Sequence, residues 1–161
     1  KVVDPARKAS LQAESCGKGN NGIFCGSAIE LQDGSIVIGK NSPLMHSASS
    51  LILNAIKMLA GIPDEIHLLS PQVIESIFNF EKNILGEKSV SLDLEETLIA
   101  LSISATTNPT SQVAMEKIKE LRDCEVHMTH IPSPGDEAGL RRIGVNLTSD
   151  PYFFTNSLFV S

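Results

Sequence analysis

The sequence predicts an α/β domain: a mixed, mostly parallel sheet opened by a β-hairpin and covered by helices on both faces. Three observations carry this. Asp33-Gly34 stands between two short apolar runs, the strongest hairpin signal in the chain. Helical and strand-like patterns then alternate towards the C-terminus, as in a three-layer α/β/α sandwich. The chain has 161 residues, the size of one domain that buries most of its apolar surface without a staple. Residues 1–161 are therefore read as a single α/β domain.

Each element has a local reason. Asp4 before Pro5 predicts an N-cap and a first helical position. The helix has a thin apolar face (Ala6, Ala9, Leu11, Ala13) and ends by Cys16-Gly17. Residues 18–22 form a loop on composition, without the Gly-x-x-x-x-Gly-Lys-Ser/Thr pattern of a phosphate-binding loop. Ile23 to Gln32 is the first hairpin strand and Ser35 to Gly39 its partner. From about Pro43 to Ala60, at about 100° per residue, Met45, Ala48, Leu51, Ile52, Ala55 and Ile56 share one broad face. His46, Ser47, Ser50, Asn54 and Lys57 fall in a narrow polar arc that faces water or lines a cleft. Gly61 and Pro63 end this helix.

Glu65 to Leu69 reads as a short strand, parallel to the second hairpin strand through a right-handed crossover. Ser70-Pro71 opens a helix with Val73, Ile74, Ile77, Phe78 and Ile84 on its face, followed by a turn at residues 86–88. Asp93-Leu94-Glu95-Glu96 is a capping box. The helix behind it, to Ala105, is apolar on most sides and so expected to be central. Asn108-Pro109 starts another helix, with Val113, Met115, Ile118 and Leu121 inward. Cys124 to Thr129 is a strand, Ser133-Pro134-Gly135-Asp136 caps a short helix ending at Gly144, and Val145 to Thr148 is the last strand. The apolar tail, residues 150–161, is expected to dock on the domain or on a partner.

Composition excludes several roles. Hydrophobic residues are 42% and charged residues 20% of the chain, and the net charge is −6. A nucleic-acid or anionic-membrane binder needs a basic field, so neither partner is expected, although a local basic pocket is compatible with this balance. No apolar run reaches the ~20 residues that span a bilayer, and no signal peptide is recognisable. Three widely spaced cysteines, an odd number, fit a reducing compartment and a cytoplasmic location. Because it opens at Lys1 rather than at methionine, the chain is expected to be a fragment of something longer.

The chemistry concentrates in residues 39–50, Gly-Lys-Asn-Ser-Pro-Leu-Met-His-Ser-Ala-Ser-Ser. A strand ends there and a helix begins, so free N–H groups meet polar side chains at the end of the sheet where α/β proteins bind ligands. Lys40, Asn41, Ser42, His46 and Ser47 are the expected ligand contacts, and His46 is the best catalytic candidate. Asn108, at another helix start, is a weaker contributor. The competing reading is an ordinary turn with a hydrogen-bonded histidine.

The order of hairpin, helix, strand, helix also resembles the cytidine-deaminase-like fold. There the first helix starts His/Cys-x-Glu and the next Pro-Cys-x-x-Cys, and the zinc they hold activates water. His46-Ser47-Ala48 and Pro71-Gln72-Val73-Ile74 occupy those places. The glutamate and both cysteines are missing, so no zinc site is expected. Cys25 with His46, His67 or His127 is a possible nucleophile pair, against the ordinary reading of a buried thiol. His127 and His130, three apart on a strand, point to opposite faces and do not share a metal. A carboxylate cluster at Asp93, Glu95 and Glu96 is explained by the helix cap.

Gly22-Ile23-Phe24-Cys25-Gly26, Gly39 to His46, Gly61-Ile62-Pro63-Asp64, Ser91 to Thr97, Ala105 to Pro109 and Pro134 to Leu140 closely resemble the bacterial family called domain of unknown function 1846, or uncharacterised protein family 0371. The resemblance covers essentially the whole chain. It implies the C-terminal portion of a protein about three times longer, whose N-terminal part carries a P-loop and would use ATP or GTP with Mg. It carries over no catalytic residue, and nothing in this chain implies a cofactor. The resulting expectation is a ligand- or substrate-binding domain of a nucleotide-dependent cytoplasmic enzyme, partnered by the missing P-loop domain and homo-oligomeric. The alternative is a structural or oligomerisation module.

Overall fold

A computed structural model describes residues 1–17, 19–87 and 90–153. The elements are α1 (Val3–Ser15), β1 (Gly26–Glu30), β2 (Ile36–Lys40), α2 (Ser47–Ala60), α3 (Pro71–Asn79), α4 (Leu94–Ser104), α5 (Pro109–Glu116), β3 (Glu125–Met128), α6 (Pro134–Ile143) and β4 (Asn146–Ser149). A π-helical turn, Phe80–Ile84, prolongs α3, and a 3-10 turn, Lys117–Leu121, prolongs α5.

The α/β class holds. The four strands form one mixed sheet in the order β2-β1-β3-β4. β1 is antiparallel to both neighbours, with Ala28 opposite Ile38 on one side and His127 on the other, and only β3 and β4 are parallel. The sheet is thus less parallel than expected, because Glu65 to Leu69 is not a strand. A turn takes that segment instead: the Ile66 N–H donates to the Pro63 carbonyl at 3.1 Å. Leu68 and Leu69 are both buried. Consecutive strand residues point to opposite faces, so burying two neighbours suits a coil wedged into the core better than an edge strand.

Alternation along the hairpin sorts the two faces. Ala28, with Ile36 and Ile38, packs against Val2 and Ala6 of the α1 side. Ile29 and Val37 join Leu51, Ile52 and Ile56 of α2 in the main core. α2 lies so close to β2 that a β-carbon at Gly39 would fall 2.5 Å from the Leu51 nitrogen, a contact only glycine permits. α4, α5 and α6 gather round α2. One face of the sheet therefore carries a single helix and the other a thick helical layer. Each fully buried leucine or isoleucine there contributes about 1.5–3 kcal/mol of transfer free energy.

Several boundaries move for identifiable reasons. α1 starts at Val3 with Val2 as its cap residue, so Asp4 sits in the first turn as an acid facing the helix dipole, not as the cap. β1 starts at Gly26 because Asn20 and Ile23 close on one another through two 3.1 Å backbone bonds. α2 starts at Ser47 rather than near Pro43. The Ser42 hydroxyl accepts from the N–H groups of Leu44 and Met45, and this local turn competes with helix. α4 forms its capping box as expected, but it is not enclosed: Leu94, Thr97, Ala100, Leu101 and Ser104 are buried while Ile99 and Ile103 are exposed.

At the start of the tail, Ile131 pairs with Phe153, and the Tyr152 and Phe153 side chains are exposed. Residues 154–161, with Phe154, Leu158 and Phe159, lie outside the described residues, as do Lys18 of the glycine loop and Lys88 of the 86–88 turn. No described helix is long and apolar enough to cross a membrane.

Candidate functional site

β2 and β3 run the same way, because each is antiparallel to β1. The chain segments that leave them therefore emerge at the same end of the sheet. α2 and α6 begin there, and the start of α4 is drawn in beside them. The His46 N–H donates to the Leu92 carbonyl at 2.8 Å, and the Ser49 hydroxyl donates to the same oxygen at 3.0 Å. Asp93 then caps α4, accepting from the Glu96 N–H at 2.9 Å while the Glu96 side chain accepts from the Asp93 N–H at 3.0 Å.

Asp136 ties the three helix starts together. It stands in the first turn of α6, where its own N–H donates to the capping Ser133 hydroxyl. One carboxylate oxygen accepts from the Leu94 N–H of α4 at 2.9 Å. The other lies 2.8 Å from Nδ1 of His46, the cap residue of α2. Gly135 allows the approach of Asp93, whose carboxylate a β-carbon there would strike.

Burial alone pulls the His46 pKa down. The hydrogen bond and charge of Asp136, helped by Asp93 and Glu96, more than offset that, and the net shift is upward from 6.5. Burial pushes the Asp93 carboxyl up, and the Asp136 charge adds to this against the Glu96 hydrogen bond. The Asp136 side chain is only 4% exposed, whereas that of His46 is 25% exposed. The arrangement is an oriented imidazole that favours its protonated form and reaches the surface. Such a group donates a hydrogen bond or exchanges a proton near neutral pH.

The other expected site residues are placed as follows. Asn41 is buried; its side-chain oxygen accepts from the Cys25 N–H at 2.8 Å and its amide donates to the Ile23 carbonyl at 2.9 Å. Asn41 and Ser42 thus fix the path of the chain into α2. Ser47 is buried, and its hydroxyl, like that of Thr97, has no hydrogen-bond partner among the described residues. Lys40 lines a cleft with Ser50, Asn54 and Lys57, so part of the predicted polar arc does line a cavity. Asn108 caps α5 by accepting from the Thr110 N–H. It follows the C-terminal end of α4, about 16 Å of helix away from Asp93, and is not brought together with His46.

Cys25 is buried, and burial, with the Asp136 charge, pushes its thiol up to about 12. A nucleophilic cysteine needs the opposite shift, so the thiol reading falls. His127 lies 2.7 Å from the Thr148 hydroxyl and 3.2 Å from Asp150, while His130 meets Thr129. The deaminase comparison also shifts. Glu65 to Leu69 is not a strand, so no strand leads into α3. The expected match at Pro71-Gln72-Val73-Ile74 therefore loses the strand that should precede it. Among the described residues no group of three His, Cys, Asp or Glu side chains is arranged to hold a metal ion.

Asp136 is the candidate site residue that sequence reasoning missed, being read only as part of a helix cap. Its signal was positional: Ser133 to Asp136 follows a strand just as Asn41 to His46 does.

Comparison with known proteins extends this. The family model described as the C-terminal part of domain of unknown function DUF1846 matches residues 1–159. A UPF0371 protein of Clostridium tetani (strain Massachusetts / E88) is 46% identical over 159 residues, covering 99% of this chain and 32% of that protein. UPF0371 proteins of Clostridium botulinum are similar at 48% identity (strain Alaska E43 / Type E3) and 47% identity (strain Eklund 17B / Type B), with the same coverage. The chain thus spans about a third of the length of the curated relatives it matches. With a matching model over nearly all its residues, the chain belongs to the DUF1846 C-terminal domain family.

Proposed function

We propose that this domain supplies the ligand- or substrate-binding surface of a longer, nucleotide-dependent bacterial enzyme, and that His46, positioned by Asp136, hydrogen-bonds the ligand or passes it a proton. The 2.8 Å contact between Nδ1 of His46 and Asp136, at three converging helix starts, carries the reading. The ligand meets the strand-to-helix turn at residues 40–50, whose shape Asn41 and Ser42 maintain. Because Asp93, Glu96 and Asp136 surround His46, proton donation is favoured over the holding of a free anion. The rest of the longer protein would bring a P-loop and ATP or GTP with Mg, in a cytoplasmic homo-oligomer that needs neither nucleic acid nor membrane.

The test is a thermal-shift screen of the full-length protein against nucleotides, nucleosides, phosphate and small carboxylates. It is repeated with His46→Gln and Asp136→Asn. A ligand at 100 times its Kd adds about 2.7 kcal/mol of stability. That gain should vanish in His46→Gln; unchanged affinity and turnover in both variants would sink the reading.

A second reading, a structural or oligomerisation module, is favoured by the exposed Ile99 and Ile103 of α4 and by Phe80, Ile84 and Leu85 at the end of α3. If Ile99→Asp with Ile103→Asp reduces the molar mass in light scattering while ligand binding persists, those faces build an interface. An unchanged mass removes this reading.

A further inference from the structure

β2 ends the sheet, and no described strand lies beyond it. The hairpin ladder is flanked by bonds from the Asn41 N–H to the Cys25 carbonyl and from the Leu31 N–H to the Ser35 carbonyl. Bonded and non-bonded pairs alternate in an antiparallel ladder. Gly39 and Val37 therefore bond to β1, while the N–H and C=O groups of Ile36, Ile38 and Lys40 point to the open edge. The Asn54 amide of α2 meets one of them, donating to the Ile38 carbonyl at 3.0 Å.

Along this edge runs a cleft of about 350 Å³ between β2, α2 and the coil that was expected to be a strand. Its polar lining is Lys40, Ser50, Asn54, Lys57 and His67, with aliphatic walls and no carboxylate. The chain as a whole carries a net charge of −6, so this is a local reversal of sign. Lys1 and Lys117 have carboxylate partners. Lys40 and Lys57 pair with none among the described residues. Lys57 gives one bond to the Asp64 carbonyl at 3.1 Å, and an ammonium has two further donors. Uncompensated cations at the mouth of an apolar cleft focus anions. The volume is near the lower end of small-molecule sites, ~300–1,000 Å³.

We propose that this cleft binds a small amphipathic anion, its apolar body against Leu53 and Leu68 and its carboxylate or phosphate at Lys40 and Lys57. The cleft shares Lys40, Leu44, Met45 and Ser50 with the 40–50 turn, but none of His46, Asp93 and Asp136 lines it.

The test is calorimetric titration of the full-length protein with phenyl phosphate, 3-phenylpropionate, neutral 3-phenylpropanol and inorganic phosphate. One or both aromatic anions should bind, with the alcohol and inorganic phosphate about tenfold weaker or more; the tighter anion identifies the headgroup. Lys40→Met and Lys57→Met should each weaken binding about tenfold, and salt should weaken it further. His46→Gln should leave it unchanged, so this proposal and the reading of His46 fail separately. Absence of binding by a protein whose melting transition is intact overturns the proposal. So does binding that survives the double lysine variant, or equal affinity for the alcohol. Preferential binding of an acidic extended peptide overturns it in favour of strand addition to β2.

Discussion

Two histidine–aspartate pairs sit in this small domain and have opposite characters. His127 lies on β3 with its side chain 5% exposed, against an Asp150 that also takes two bonds from Arg7 of α1 at 2.9 and 3.1 Å. His46 lies at a junction of helix starts, where, among the described residues, the Asp136 carboxylate takes the Leu94 N–H besides the imidazole. The Arg7 hydrogen bond, with His127, holds the Asp150 carboxyl below its ordinary value despite burial. Arg7 thus keeps the Asp150 carboxylate ionised and, through it, fastens α1 to the end of the sheet. In the second pair Asp136 has no guanidinium beside it, and its hydrogen bond and charge raise the His46 pKa instead. The guanidinium, more than the shared pair of residue types, distinguishes the two sites.

The largest test of that contrast is Asp136→Ala. It strands the Leu94 N–H and the imidazole together, and the unfolding free energy in urea should fall by about 3 kcal/mol. A loss below about 1 kcal/mol would mean that the helix starts are held by packing alone. Asp150→Ala should cost about 2 kcal/mol, and it should leave the NMR titration of His46 unmoved. A displaced His46 titration would show that the two pairs communicate.

The pH dependences should diverge. The raised His46 pKa means its stabilising contribution is complete below about 6.5 and is lost as pH rises through the folded value. The stability difference between wild type and His46→Gln should shrink on the alkaline side. Asp150 behaves inversely: its contribution is complete above 3.8 and is lost as pH falls through its lowered folded value. Asp150→Asn should flatten the acid limb. At neutral pH the smallest effect should be that of His46→Gln, about 0.5–1 kcal/mol. The same change at buried His127 should cost more, and a reversal of that order would undo the comparison.

Local chemistry made much of this legible in the sequence. The hairpin turn is braced by Asp33 accepting from the Ser35 N–H at 2.9 Å. The capping box at Asp93, the Asn108 and Ser133 caps and the left-handed Gly61 all stand where their residue types demand. What failed depends on partners far away. Glu65 to Leu69 looks strand-like, yet it leaves the open edge of β2 unpaired; a turn closed by Ile66 and Pro63 and the burial of both Leu68 and Leu69 hold it as coil instead. The start of α2 is decided by Leu92, which bonds His46 from the far side of α3. His46 could be singled out from the polar run around it, but Asp136 becomes its partner only through strand order, which no local window contains.

That strand order also governs how the molecule is made. The hairpin is a short-range object, yet β1 completes its pairing with a segment about a hundred residues later: the Gly26 N–H bonds the Thr129 hydroxyl across a separation of 103 positions. During synthesis the hairpin leaves the ribosome long before β3 exists, with one side of its innermost strand open. Closure of so long a loop lies late and slow on the folding route. The helices between the hairpin and β3 are synthesised before β1 can gain its second neighbour, and β4, which pairs with β3, must follow both.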